Sequence, residues 1–256
     1  MTEADWWETS WEPGTPPAVG FLIPRAFEAY ARVLHPATDH DGNPVPWARV
    51  AAQCGTTLHP EAQWSRLAGR ADAHDQHQGW PGMNPEEGVL SRPAFGALAD
   101  VLARHTTTPE RTLVAYWVGY GVWPMSWHSL PTVRLVREEY LFSRPLAGVE
   151  RLCAEAPAVE WATDPGRQSV MTVGGGGTRP TDDELLMSFG AHAWQSPSAW
   201  WPADHVWATS NDTDLDSTLV GGRCALVDDL LADDRLEVLP WPVDGSLWSD
   251  ADTVNR

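Results

Sequence analysis

A chain of 256 residues, 43% of them hydrophobic, can bury a sizeable core, while its formal net charge of -18 opposes a nucleic-acid phosphate backbone and excludes duplex DNA or RNA as the expected ligand. All 17 basic residues are arginine, so a phosphate-loop lysine, a kinase strand lysine and a lysine Schiff base are excluded. Cys54, Cys153 and Cys224 form no CxxC pair, no apolar run approaches the ~18 to 20 residues of a membrane span, and the acidic start "MTEADWWETSWEPG" has no export region, so a soluble cytoplasmic protein with reduced thiols is expected.

Residues 1–17, rich in Trp, Glu and Pro, read as an irregular arm, and residues 18–256 as a single domain. "PRAFEAYARVLHP" places Phe27, Tyr30, Ala31 and Leu34 at the i, i+3, i+4, i+7 spacing of an amphipathic helix, with Pro24 at its start and Pro36 at its stop. "PWARVAAQCG" predicts a second short helix ended by Gly55, and the polar, Gly/Pro-rich run from His59 to Gly88 a long surface loop. "RPAFGALADVLARHTTTP" predicts a third helix with Phe95, Leu98, Ala99 and Leu102 on one stripe. Pro109 forbids its continuation. "RTLVAYWVGYG" then has the β-branched and aromatic content of a buried strand. "TVRLV" and "EYLF" follow as two strands of a hairpin, and "PLAGVERLCAEA" as a helix behind them.

The composition changes over residues 156–182, where "GGGG" occupies 174–177. A glycine run cradles phosphate only where it opens a helix after a strand with a cation nearby; Thr178, Arg179 and Pro180 follow this one, which reads as a flexible excursion. "DDELLMSFGAHAW" reads as a short helix, "HVWATS" as a strand, "NDTDLDSTLVGG" as a polar strand-to-helix connection, "RCALVDDLLADD" as a helix and "LEVLPW" as a final strand. Helices and strands mix without regular alternation. The fold class is therefore α+β, with a central, mostly antiparallel sheet, helices packed on it, and a closing strand-helix-strand unit that would supply one parallel pair.

Chemistry is concentrated in "SNDTDLDSTLVGG", residues 210 to 222, where Asp212, Asp214 and Asp216 alternate before a hydroxyl pair and two glycines. Crowded carboxylates take up Ca²⁺ or Mg²⁺, so these three are the candidate metal ligands and a divalent cation the one cofactor the chain suggests. An EF-hand loop counted from Asp212 fails, since it puts Ser217 where the glycine belongs and Arg223 where the bidentate Glu belongs. "DLDSTL" resembles the first motif of haloacid dehalogenase-like phosphatases, which would make Asp214 the nucleophile and Asp216 the acid/base. That family carries the motif after a buried strand near the start of a large α/β domain, whereas here polar "SNDT" precedes it and only 40 residues follow Asp216. The plain alternative is a turn whose acids cap a helix and whose glycines supply unusual dihedrals. The histidine pairs His35 with His40 and His74 with His77 lack a zinc signature, and no G-x-S-x-G elbow is present.

Sixteen tryptophans are the other unusual feature. In "SPSAWWPADHVW" the pair Trp200 and Trp201, with Asp204 and His205 beside it, forms a candidate binding surface if exposed, since tryptophan stacks on sugars, ammonium groups and apolar partner surfaces. Trp117 and Trp207, inside predicted strands, read as core. From Trp201 to Arg256 twelve acidic residues face three arginines, so half the excess negative charge lies in the last 56 residues.

Taken together, "AFEAYARVLHPA", "WARVAAQCG", "LHPEAQW", "HTTTPERTLVAYWVGYG" and "SPSAWWPADHVWATS…DLDSTLVGG" resemble a family of actinobacterial hypothetical proteins, from about residue 20 to the end, to which no activity or ligand is attached. The resemblance implies a Glu after the "AT" of the penultimate strand. Ser210 stands there instead and "ND" enlarges the loop, which weakens any metal site built on that Glu. The functional expectation is a cytoplasmic binding protein that uses its acidic C-terminal region and a Trp-rich surface to dock on or inhibit a basic protein, with neither nucleic acid nor membrane as partner. The alternatives are a metal-dependent hydrolase built on Asp212, Asp214 and Asp216 with His205, and a small-molecule or glycan sensor built on Trp200 and Trp201.

Overall fold

A computed structural model describes residues 22–69, 79–109, 112–115, 133–134, 141–144, 172–173, 196–212, 214–248 and 250–255. In chain order its elements are β1 (Ala29–Leu34), β2 (Ala37–Thr38), β3 (Pro44–Val45), α1 (Trp47–Cys54), α2 (Trp64–Leu67), α3 (Arg92–Arg104) and β4 (Thr112–Ala115). They continue with β5 (Val133–Arg134), β6 (Leu141–Arg144), β7 (Thr172–Val173), β8 (Ala199–Pro202), β9 (Ala208–Ser210), β10 (Ser217–Gly222), α4 (Cys224–Ala232) and β11 (Val238–Trp241). The architecture is α+β with antiparallel pairing throughout the described ladders. Among the described residues no helix is long and apolar enough to cross a membrane.

The chain divides into two compact units. The terminal unit takes its described residues from the segments Thr9–Ser91 and Asp212–Arg256, and the middle unit from Arg92–Asn211.

In the terminal unit β1 lies between β10 and β11 and is antiparallel to both, with Ala31 opposite Val220 on one side and Pro240 on the other. β10 and β11 therefore run in the same direction, joined by α4, but β1 separates them. The expected strand-helix-strand unit is present, and its parallel strands do not pair with each other.

β1 overturns the helix expected from Phe27 to Leu34. Five of the six residues in "AYARVL" are buried, so no polar face exists for an amphipathic period to mark. The i, i+3, i+4, i+7 match arises because a strand buried on both faces is apolar at nearly every position. β-branched Val33 and aromatic Tyr30 favour the extended form, and hydrogen bonding on both edges secures it.

Helix α1 follows its sequence signals. Gly55 ends it in the left-handed region at φ 72° and donates its N–H to the Ala51 carbonyl. The N-cap position, Pro46, has no side chain able to cap, and Glu237 substitutes from a distant segment by accepting from the Trp47 and Ala48 N–H groups. The run from His59 to Gly88 is not simply a surface loop. It contains α2, and Trp64, Leu67, Ala68 and Trp80 are buried with Trp47 and Val50 in one core cluster. Gly79 makes this folding-in possible: at φ 79° a Cβ there would lie 1.7 Å from the Ala68 carbonyl oxygen.

In the middle unit the strand order is β9-β8-β4-β6, with Trp200 opposite Thr209 and Val114, and Val114 opposite Phe142. Among the described residues of "TVRLV" and "EYLF" the expected hairpin pairing is not present. β5 pairs with β7, and β6 pairs with β4. α3 buries Phe95, Leu98, Ala99 and Leu102 as its stripe predicts, each large side chain contributing roughly 2 kcal/mol. The 1–17 arm, the helices expected in "PLAGVERLCAEA" and "DDELLMSFGAHAW", Trp117 and the glycine run at 174–177 lie outside the described residues.

Candidate functional site

The acidic loop begins where β9 ends and leads into β10, so the hydroxyl pair and both glycines of "STLVGG" belong to a strand rather than to a strand-to-helix turn. Gly221 is there because a Cβ would meet the Phe27 and Tyr30 rings at 2.5 and 2.9 Å, which makes it a packing glycine in β10. The loop ahead of it is pinned. Asp212 accepts the Asp214 N–H on its side chain at 3.2 Å, the Leu215 carbonyl accepts from Gly88 N–H at 2.8 Å, and the Asp216 carbonyl accepts from His35 N–H at 2.9 Å.

Arg32, at the centre of β1, is 2% exposed. A guanidinium there is tolerable only if its donors are satisfied, and they are: Nε donates to Ser217 Oγ at 2.8 Å, Nη1 to the Pro60 and Ala62 carbonyls at 3.3 and 2.7 Å, and Nη2 to Asp216 Oδ1 at 2.9 Å. Its guanidinium carbon lies 5.3 Å from the Trp47 ring centroid and 5.2 Å from that of Trp241. His35, just past the end of β1, is also buried. Its Nδ1 is 2.8 Å from the Glu86 carbonyl and must donate to it, which leaves Nε2 to accept from Thr218 Oγ1 at 3.0 Å. Burial lowers this imidazole to about 4, against the weaker upward pull of the Glu86 carbonyl and Asp216, so it is neutral at pH 7.

Arg32 and Asp216 border a cavity of about 550 Å³. Asp212, Asp214, Asp216 and Glu87 line one part of it, and Trp64 and Trp248 supply aromatic surface. Trp64 is held by its Nε1–H donating to Asn84 Oδ1 at 3.0 Å and by its tilted contact with Trp47, whereas Trp248 is 53% exposed. Gln63, which also lines the cavity, is fixed at the N-cap of α2 by donating its backbone N–H to Asp252 Oδ2 at 3.2 Å. Asp252 in turn accepts from Asn255 N–H and His59 Nε2, and these bonds overcome its burial to hold its carboxyl below the usual range.

The charge balance of the lining is lopsided. Four carboxylates face one cation, Arg32, which is bonded to Asp216. No basic group pairs with Asp212, Asp214 or Glu87 among the described residues. Glu87 keeps one side open to solvent, yet its carboxyl is raised above the ordinary range, first by partial burial and then by repulsion from Asp216 and Asp214. Such a lining stabilises a positive charge.

The three aspartates expected to form a metal cage are thus brought to one cavity, but they do not gather around a common point. Among the described residues no group of three or more His, Cys, Asp or Glu could hold a metal ion, and Asp216 is committed to Arg32.

The tryptophan pair is corrected outright. Trp200 and Trp201 are 2% and 0% exposed, so neither ring offers a surface. In β8 they serve the middle unit's core, with Trp200 stacked on Phe95 at 4.7 Å and edge-on to Trp207 at 5.6 Å. Asp204 secures the end of α3, accepting from Thr106 Oγ1 and from Thr107 N–H and Oγ1 at 2.8 Å each. Burial would raise this carboxyl, but the Thr107 and Thr106 bonds outweigh it and hold it low. His205 adopts φ 55°, a turn position following Asp204. Arg32, Gln63, Trp64, Glu87 and Trp248 were not legible as site residues. Only Arg32 carried a signal, as a charge inside an apolar run that must find a partner.

Comparison of the chain with protein families, with curated proteins and with solved structures found no match.

Proposed function

We propose that this is a cytoplasmic binding protein that docks on a basic partner, and that the acidic, aromatic-lined cavity of the terminal unit is the point of contact. The observation that carries this reading is the group Asp212, Asp214 and Glu87, which line one cavity with no basic residue paired to any of them among the described residues. A cation against one such solvent-exposed carboxylate contributes only about 0.2 to 1 kcal/mol net, so the reading relies on several of them acting together. The acidic excess of the last 56 residues adds steering over longer range.

Titration calorimetry with a cationic peptide containing both Arg and Lys tests this at two ionic strengths. The affinity of the full chain is expected to fall steeply as salt rises, and the Asp214→Asn, Glu87→Gln double variant to bind weakly at low salt. Affinity that ignores both salt and the double variant rules the reading out.

A second reading, a small-molecule sensor, is favoured by the presence of Trp64 and Trp248 beside Gln63, Ser65 and Asn84 in a cavity of ligand size. It predicts a neutral ligand whose binding is indifferent to salt.

A further inference from the structure

One part of the cavity lining belongs to no strand or helix. The last strand, β11, ends at Trp241, and the segment that follows it supplies Leu247 and Trp248. Gln63, Trp64 and Ser65, also in the lining, come from the start of α2. Polar groups fasten the segment to the stretch that carries α2. Asp252 accepts the Gln63 N–H on Oδ2 at 3.2 Å and His59 Nε2 on Oδ1 at 3.0 Å. Asn255 Oδ1 accepts from Thr57 N–H at 2.8 Å, its Nδ2 donates to the Thr57 carbonyl at 3.0 Å, and its own carbonyl accepts from Arg66 Nη1 at 3.4 Å. Upstream, Ser246 N–H donates to Glu61 Oε1 at 3.2 Å. These partners all lie between Thr57 and Arg66.

What this attachment lacks is apolar burial. From Ser246 to Asn255 the described residues that are buried are Asp252 and Asn255, whereas Leu247 and Ala251 are half-buried and Trp248 and Val254 are exposed. The difference sets the cost of opening. Hydrocarbon released into water is opposed by the hydrophobic effect, while a polar bond given up to water is largely replaced by a bond to water. β1 is the contrast, with five buried residues and a ladder on each edge. The segment therefore belongs to the part of the unit that opens locally, at less than the cost of unfolding the sheet. Its release takes Leu247 and Trp248 out of the lining and deprives the start of α2 of the Asp252 acceptor.

We infer that residues 246–255 form a strap that closes one side of the cavity and opens by giving up the Asp252 and Asn255 bonds while the sheet stays folded, so that access to Trp64 is controlled there. The inference is independent of which ligand the cavity takes.

Native-state hydrogen exchange of the full chain, at fixed pH and in low urea, reads this opening directly. The amide of Gln63, a buried residue that donates into the strap, is expected to be on the order of tenfold less protected than those of Ala31 and Val33 in β1, at a rate that low urea hardly changes. Protection at Gln63 as high and as urea-dependent as in β1 overturns the inference, since the strap then opens only with the whole unit. This measurement needs no substitution, so it decides even if a variant does not fold. Asn255→Ala, which keeps Asp252, should raise exchange at Thr57 and Gln63 several-fold and hydroxyl-radical oxidation of the buried Trp64 with it, leaving the β1 amides and the unfolding midpoint nearly unchanged. Faster exchange with unchanged oxidation of Trp64 shows a loose segment that closes nothing, which also overturns the inference. Equal loss of protection in β1 and at Gln63 does the same, because the segment is then part of the core.

Discussion

The two units use tryptophan in opposite ways. In the middle unit Trp200 packs against Phe95 and Trp207, ring on ring, and the cluster is closed to solvent. In the terminal unit Trp47 and Trp241 flank a buried guanidinium, and Trp64 and Trp248 border a cavity with an excess of carboxylates. The difference lies in what the neighbouring strand residues contribute. Where β1 places Arg32 in the core, the surrounding indoles become the wall of a charge, whereas around β8 no described charge intrudes and the indoles become filling. The same residue type therefore marks a site in one unit and a core in the other.

Substitution in each unit separates these two uses. Arg32→Ala should cost about 4 kcal/mol, because it removes one partner of a buried pair and four donated hydrogen bonds. Trp200→Ala should cost a similar amount, about 3 to 5 kcal/mol, through lost apolar burial and the cavity left behind. Urea unfolding at low and high salt tells them apart. If the ion pair and its hydrogen bonds are what matter at Arg32, the Arg32→Met variant, which restores packing without charge, recovers little of the loss, while salt has little influence on Trp200→Ala.

A smaller effect is expected with pH, and it belongs to the terminal unit. His35 titrates near 4 in the folded chain and at 6.5 when unfolded. Between those values the unfolded state binds the extra proton, so stability is lost as pH falls from 6.5 towards 4, by roughly 3 kcal/mol in all. Glu87 and Glu237, both raised by burial, act in the opposite sense as they take up protons, so the comparison is with His35→Asn, whose stability should be flatter over that window. Below 3.8 the loss continues in both units as Asp252 and Asp204 give up their low folded values. Unfolding midpoints at pH 7 and pH 4.5 that fall equally in wild type and His35→Asn would refute the assignment.

The smallest effect concerns the borrowed cap of α1. Glu237→Ala should destabilise the terminal unit by about 1 kcal/mol, since the Trp47 and Ala48 N–H groups lose their acceptor. Hydrogen exchange at those two amides should rise, with no change at α3 of the middle unit.

Much of the helical structure was legible. α1 announced its end in Gly55, α3 its buried face in Phe95, Leu98 and Leu102, and α4 its place within "RCALVDDLLADD", because stops and stripes act within a few residues. β1 was not, because a strand buried on both faces loses the alternation that identifies strands and imitates a helical stripe. Of the candidate site only the acidic loop was legible. Trp64 and Glu87 lay in what read as a surface loop, and nothing near Gln63 or Trp248 in the chain distinguishes them from solvent-facing residues.

By itself the amino-acid sequence determined the charge, the exclusion of lysine chemistry, the α+β class and the helices with strong local signals, since each depends on composition or on neighbours in the chain. The tertiary structure alone decided that Phe27 to Leu34 enters the sheet, that Trp200 and Trp201 are core, and that Asp216 answers Arg32. That last pair is separated by 184 positions, and no local rule can match a buried charge to a partner so far away until the strands have paired.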